Sequence, residues 1–101
     1  MREIYGITSK ELCEYLLSLG YNKDTDHIDH IVPLSKFKLS DKNHLLVAGH
    51  YLNLQPLKAS DNIKKSNSLP KNWQDVIIRI CEVRNINPQS IINYISDKVL
   101  C

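Results

Sequence analysis

Two short stretches carry most of the chemistry in this chain, and a fold that uses either must bring them together. The first is Asp29-His30-Ile31-Val32-Pro33. The second opens some two dozen residues later with Asn53-Leu54-Gln55-Pro56-Leu57 and runs on to Asp61-Asn62-Ile63-Lys64-Lys65. An acid directly before a histidine in an extended segment offers a metal ligand and a general base from adjacent backbone positions. Asn62, early in a short helix, offers a neutral oxygen to a hard cation. The lysines one turn further on supply positive charge for a phosphate.

Chain length and charge bound what surrounds these stretches. With 101 residues there is room for one small domain. No apolar run is long enough to span a membrane, and Met1-Arg2-Glu3-Ile4 has none of the apolar core of a signal peptide, so an intracellular setting is expected, in a cell or for a phage-encoded protein acting in its host. Cys13, Cys81 and Cys101 are odd in number and widely spaced, which favours reduced thiols, two of them packed in helices, over a disulfide or zinc site. The net charge of +2 says little, but its distribution says more. Residues 24–35 hold three aspartates and no base, whereas residues 36–71 set seven lysines against Asp41 and Asp61, a local excess of +5. An acidic pocket bordered by lysines suits a cation and a polyanion meeting in one place. The candidates for contact with such a polyanion are Lys36, Lys38, Lys58, Lys64 and Lys65.

Local patterns predict an α+β chain. Thr8-Ser9-Lys10-Glu11 reads as a capping box, with Leu12, Tyr15, Leu16 and Leu19 at helical spacing and Gly20 as the stop. A strand follows over 27–32. Alternation there puts Ile28, His30 and Val32 on one face and Asp29 and Ile31 on the other, so a twisted or bulged strand end is needed for Asp29 and His30 to share a site. The link over 34–51 has Phe37 and Leu39 as anchors, a short helix capped by Asp41, and His44 as a surface residue. A second strand covers 52–57, ended by Pro56, and Ser60 caps a helix over 61–67. Beyond Pro70, Asn72 and Asp75 open a helix bearing Val76, Ile77, Ile80 and Val83. Asn87-Pro88 then opens another bearing Ile91, Ile92, Ile95 and Val99. This pair loosely resembles a helix-turn-helix in which Gln89, Ser90 and Asn93 would face base edges. Lys98 is the second helix's only basic residue, which favours a plain helical hairpin packed on the core.

The motifs together, His27-Ile28-Asp29-His30-Ile31-Val32-Pro33-Leu34-Ser35, then His50-Tyr51-Leu52-Asn53-Leu54-Gln55-Pro56-Leu57, then Asp61-Asn62 with Lys65, resemble the HNH (ββα-metal) endonucleases of the compact phage and mobile-element type. The resemblance spans about 26–67, under half of the chain, and joins three motifs in the right order. It implies a ββα-metal core over 26–67, an antiparallel ribbon with a helix laid across it, flanked by an N-terminal helix and connector (1–25) and a C-terminal helical hairpin (68–101).

The resemblance also implies site roles. His30 matches the general base that activates water. Asp29 and Asn62 match the metal-holding positions, and an oxygen-rich shell favours Mg2+ or Mn2+. Asn53 matches the middle asparagine, whose side chain pins the link and so orients the base. Lys65 matches the helix lysine at the scissile phosphate, with Lys64 as the fallback. His27 and His50 also fall where members of the family carry histidine; a supporting role behind the metal ligands is expected of His27, whereas His50, next to Tyr51, is read equally as a supporting or a packing residue. DNA is the implied partner. Two other readings stay open: a non-catalytic DNA-binding module, and a nuclease domain that relies on a partner for specificity.

Overall fold

Thr8 starts the first long helix as its sequence dictates. The computed structural model describes residues 2–65 and 68–100, leaving aside the side chains at 63, 64 and 100. The Thr8 side chain accepts from the Glu11 N–H at 3.1 Å, and Glu11 Oε1 accepts from the Thr8 N–H at 3.0 Å. The reciprocal pair satisfies amides that have no partner inside α2 (Ser9–Ser18). At its far end Gly20, at φ +90°, lets the chain close a Schellman turn, with the Tyr21 N–H donating to the Leu16 carbonyl at 3.0 Å. A further helical turn, α1 (Arg2–Tyr5), precedes it. Arg84 ties that turn down by donating to the Ile4 carbonyl.

β1 (Asp26–His30) and β2 (Leu54–Lys58) form an antiparallel two-stranded ribbon in which Asp29 faces Gln55 and Ile28 faces Pro56. Pro56 does not end the second strand but sits in its middle, and the register explains how. Hydrogen bonds from the Ile31 N–H to the Asn53 carbonyl and from the Ala59 N–H to the Thr25 carbonyl bracket the ladder. Counting inward from either end places Ile28–Pro56 at a non-hydrogen-bonded pair, so the proline lacks an N–H only where none is needed. The second strand also starts later than expected, because Tyr51–Asn53 forms a 3-10 turn.

α3 (Lys42–Ala48) is capped by Asp41, whose carboxylate accepts from the Asn43 N–H at 2.9 Å. α4 (Ala59–Lys65) follows β2 without a break and packs on both strands. Ser60 is therefore inside this helix rather than its cap, and Asn67, the expected end of that helix, lies outside the described residues. α5 (Trp73–Arg84) and α6 (Gln89–Leu100) are joined through Asn85 at φ 57°, a conformation asparagine tolerates better than most residues. Asn72 holds the cap position of α5 without a side-chain capping bond, whereas Asn87 caps α6 by accepting from the Gln89 N–H. The fold class is α+β, as the local patterns predict.

The hairpin of α5 and α6 supplies most of the main core. Ile77, Ile80, Cys81, Ile91, Ile92 and Ile95 pack with Val32, Phe37, Val47 and Ala48. A smaller cluster joins Leu12 and Leu16 of α2 to Leu54 of β2. Val83 (62% exposed), Val99 (51%) and Leu19 drop out of the expected stripes, because each helix meets its neighbours along only part of its length; Leu39, in the turn before α3, is exposed and does not anchor the link, whereas Phe37 does. Cys81 is buried, which raises its thiol pKa, but Cys13 is exposed rather than packed, and Cys101 lies outside the described residues. His44 corrects the surface assignment outright. It is buried, accepts from the Lys38 N–H through Nδ1 at 3.1 Å, and meets Tyr94 edge-on. Among the described residues no helix is long and apolar enough to cross a membrane.

Candidate active site

Strand pleating sends His27 and Asp29 to one side of the ribbon, and α4 covers that side. Asn62 and Lys65, three apart on α4, therefore share the helix face that meets β1. Asn62 Nδ2 lies 3.3 Å from His27 Nδ1. Lys65 Nζ lies 3.3 Å from Asp29 Oδ2 and 2.9 Å from the carbonyl oxygen of His30. Gln55, directly across the ladder, donates from Nε2 to Asp29 Oδ2 at 2.9 Å. Asp29 is buried, with one oxygen fixed by an amide and the carboxylate neutralised by an ammonium.

Asp29, His30, Asn62 and Lys65 line one open cleft of about 220 Å³, bounded across from α4 by Pro33 and Leu34. No bulge achieves this. Pairing runs one to one from residue 26 to residue 30, and the cleft opens at the strand end, where His30 is the last paired residue. Burial pulls the His30 pKa below its ordinary value, Asp29 pushes it back up and Lys65 pushes it down, so the net shift is downward. The imidazole is neutral at pH 7 and can accept a proton.

Asn53 is completely buried and outside the cleft. Its Oδ1 accepts from the Val32 N–H at 2.8 Å, while Nδ2 donates to the carbonyls of Val32 (3.1 Å) and Ala48 (2.9 Å). Its own carbonyl accepts from the Ile31 N–H at 2.8 Å. One side chain thereby ties the end of α3 to the segment leaving His30, a backbone clamp behind the cleft rather than a participant in it.

His50 is not brought to the cleft. It is buried under Gly6 and beside Arg84, and its Nδ1 accepts from the Leu52 N–H at 3.1 Å. Burial, then Arg84, push its pKa down to about 4. Of the two roles open to it, His50 therefore takes the packing one, away from Asp29. His27 is exposed and does not line the cleft, but it meets Asn62, which does. Lys36 follows Pro33–Ser35 in a 3-10 turn beside the cleft, Lys38 is exposed, and Lys58 is exposed at the end of β2 opposite Asp26. The side chain of Lys64 lies outside the described residues.

The donor set fits a hard cation only in part. A carboxylate and a carboxamide are oxygen donors of the right kind, and the His27 contact on Asn62 Nδ2 leaves the amide oxygen available. Among the described residues no three His, Cys, Asp or Glu side chains converge as a ready-made cage. Any divalent ion held here would complete its shell with water or a substrate oxygen. The partner of Asp29 that sequence patterns leave unassigned is Gln55. It stands inside the Asn53–Leu57 motif, and its position across from Asp29 appears only once the ribbon register is known.

No protein-family model, no curated protein and no solved structure matches this chain at a significant level.

Proposed function

We propose that this chain is a metal-dependent endonuclease of the HNH type that hydrolyses phosphodiester bonds in DNA. The observation that carries this reading is the shared cleft of Asp29, His30, Asn62 and Lys65. In this reading β1, β2 and α4 constitute a ββα-metal core. Asp29 and Asn62 hold Mg2+ or Mn2+, which when bound stabilises charge on the leaving oxygen. His30 takes a proton from water, the resulting hydroxide forms a bond to phosphorus as the P–O3′ bond breaks, and the departing 3′-oxygen takes a proton from solvent water. The products carry 5′-phosphate and 3′-hydroxyl ends. Gln55 orients Asp29, and Asn53 holds the backbone that presents His30. Lys36, Lys38 and Lys58 supply sequence-independent contacts to the DNA backbone.

The Lys65–Asp29 ion pair favours a second reading, a DNA-binding module without catalysis, because a carboxylate already neutralised could be structural. Plasmid nicking separates the two. Wild-type protein with Mg2+ or Mn2+ should convert supercoiled DNA to relaxed or linear forms, and chelator should stop it. His30→Ala should lose roughly 10²–10⁴-fold in rate, the usual contribution of a general base, while DNA binding persists. Equal cutting by His30→Ala and wild type would defeat the catalytic assignment.

A further inference from the structure

Lys65 occupies the carboxylate that the nuclease reading assigns to a divalent cation. Its Nζ stands 3.3 Å from Asp29 Oδ2, 3.5 Å from Oδ1 and 2.9 Å from the His30 carbonyl oxygen. Three oxygens thus surround the ammonium, much as they would surround a small cation. The two side chains are only 17% and 8% exposed, so water and salt screen this pair far less than a surface one. Asp29 itself cannot turn away easily, because Gln55 fixes Oδ2. Lys65 can, since a four-carbon stem on α4 lets its charge swing into the cleft it already lines without moving the helix.

We infer that Lys65 is a built-in counter-ion that closes the cation site until a phosphodiester draws its ammonium away. This rests on the nuclease reading and adds an order of events to it. The phosphate enters the cleft, Lys65 moves from Asp29 to a phosphate oxygen, and the freed carboxylate then takes the divalent ion. One lysine thereby serves two anions in turn. Metal and DNA bind with positive coupling, and by linkage each tightens the other. The protein without DNA holds its metal weakly, because the ion must first displace an internal cation from a site that water screens poorly.

Mn2+ binding to the full chain without DNA, followed by electron paramagnetic resonance, tests this apart from activity. A single neighbouring charge changes a carboxylate's affinity for a proton by roughly 10- to 1,000-fold, and a divalent ion feels at least as much. Lys65→Met should therefore bind Mn2+ about tenfold more tightly than wild type, or better, a change of about 1.4 kcal/mol per decade. Lys65→Arg, which keeps the charge, should stay weak, and Asp29→Asn added to Lys65→Met should remove the tight site. Lys65→Gln provides a second neutral variant should methionine disturb folding, with circular dichroism checking both. If neutral variants bind no more tightly than wild type while Asp29→Asn still abolishes binding, the counter-ion role is overturned and the metal site stands. If no variant shows Mn2+ binding that depends on Asp29, and the wild type does not cut DNA, the nuclease reading falls and the counter-ion role with it.

Discussion

Replacing Asn53 by alanine tests the clamp behind the cleft. The side chain makes three hydrogen bonds in a fully buried site, to the Val32 N–H, the Val32 carbonyl and the Ala48 carbonyl. Alanine can make none of them, and the vacated space is too enclosed for bulk water to replace all three. A buried polar group left unpaired costs about 1–3 kcal/mol, and carbonyls tolerate the loss better than an N–H does, so the three together should cost roughly 3–5 kcal/mol. Against the roughly 5–15 kcal/mol that holds a small domain together, this is a large fraction. Urea unfolding is the assay. With a slope of about 1–3 kcal/mol per molar urea, the midpoint should fall by roughly 2 M. The same substitution loosens the chain at Val32, two residues after His30, so cutting should fall under conditions where the variant remains folded, with Mn2+ binding preserved. A midpoint within about 0.5 M of wild type would mean the three bonds together are worth less than one ordinary hydrogen bond, and the clamp argument would fail.

Acid should weaken the fold through His50. Its pKa lies at about 4 in the folded chain against an ordinary 6.5, so the unfolded chain binds more protons between those values and stability is lost as pH falls through that window. At about 1.4 kcal/mol per pH unit the loss approaches 3 kcal/mol by pH 4, with His30 and His44 shifted in the same direction. Urea titrations at pH 7 and pH 4.5 check this, and a His50→Leu variant that folds should show a flatter profile; equal slopes would refute the assignment. In the cutting reaction, the depressed pKa of His30 places the acid limb of the rate profile below pH 6.5, since the neutral imidazole is the active form. A limb centred above 6.5 would show that another group limits the rate.

Local signals in the chain were legible because their physics is local. The Thr8–Glu11 capping box, the Asp41 cap and the isoleucine stripes of α5 and α6 each depend on residues within a turn or two, and each element formed where its pattern lay. What pattern could not supply was register and neighbourhood. Pro56 looked like a strand end because a proline breaks a ladder, yet it fell at a pair that requires no bond. His44 gives no sign of burial and His50 reads equally as packing or supporting, since a histidine's environment is set by residues such as Tyr94, Gly6 and Arg84 that are distant along the chain.

The same division runs through the cleft. The residue types at positions 29, 30, 53 and 62 follow from the chain alone, and so does the chemistry each can perform. The convergence of Asp29, His30 and Asn62, with Asn53 left behind the cleft, was decided by the one-to-one pairing of two strands and by α4 leaving β2 without a loop, which turned Asn62 and Lys65 onto β1. Tertiary structure also decided that Lys65 rests on Asp29 and that Gln55 holds its other side. A carboxylate's partners depend on distances of a few ångströms between segments dozens of residues apart, and no pattern along one strand of sequence encodes such a distance.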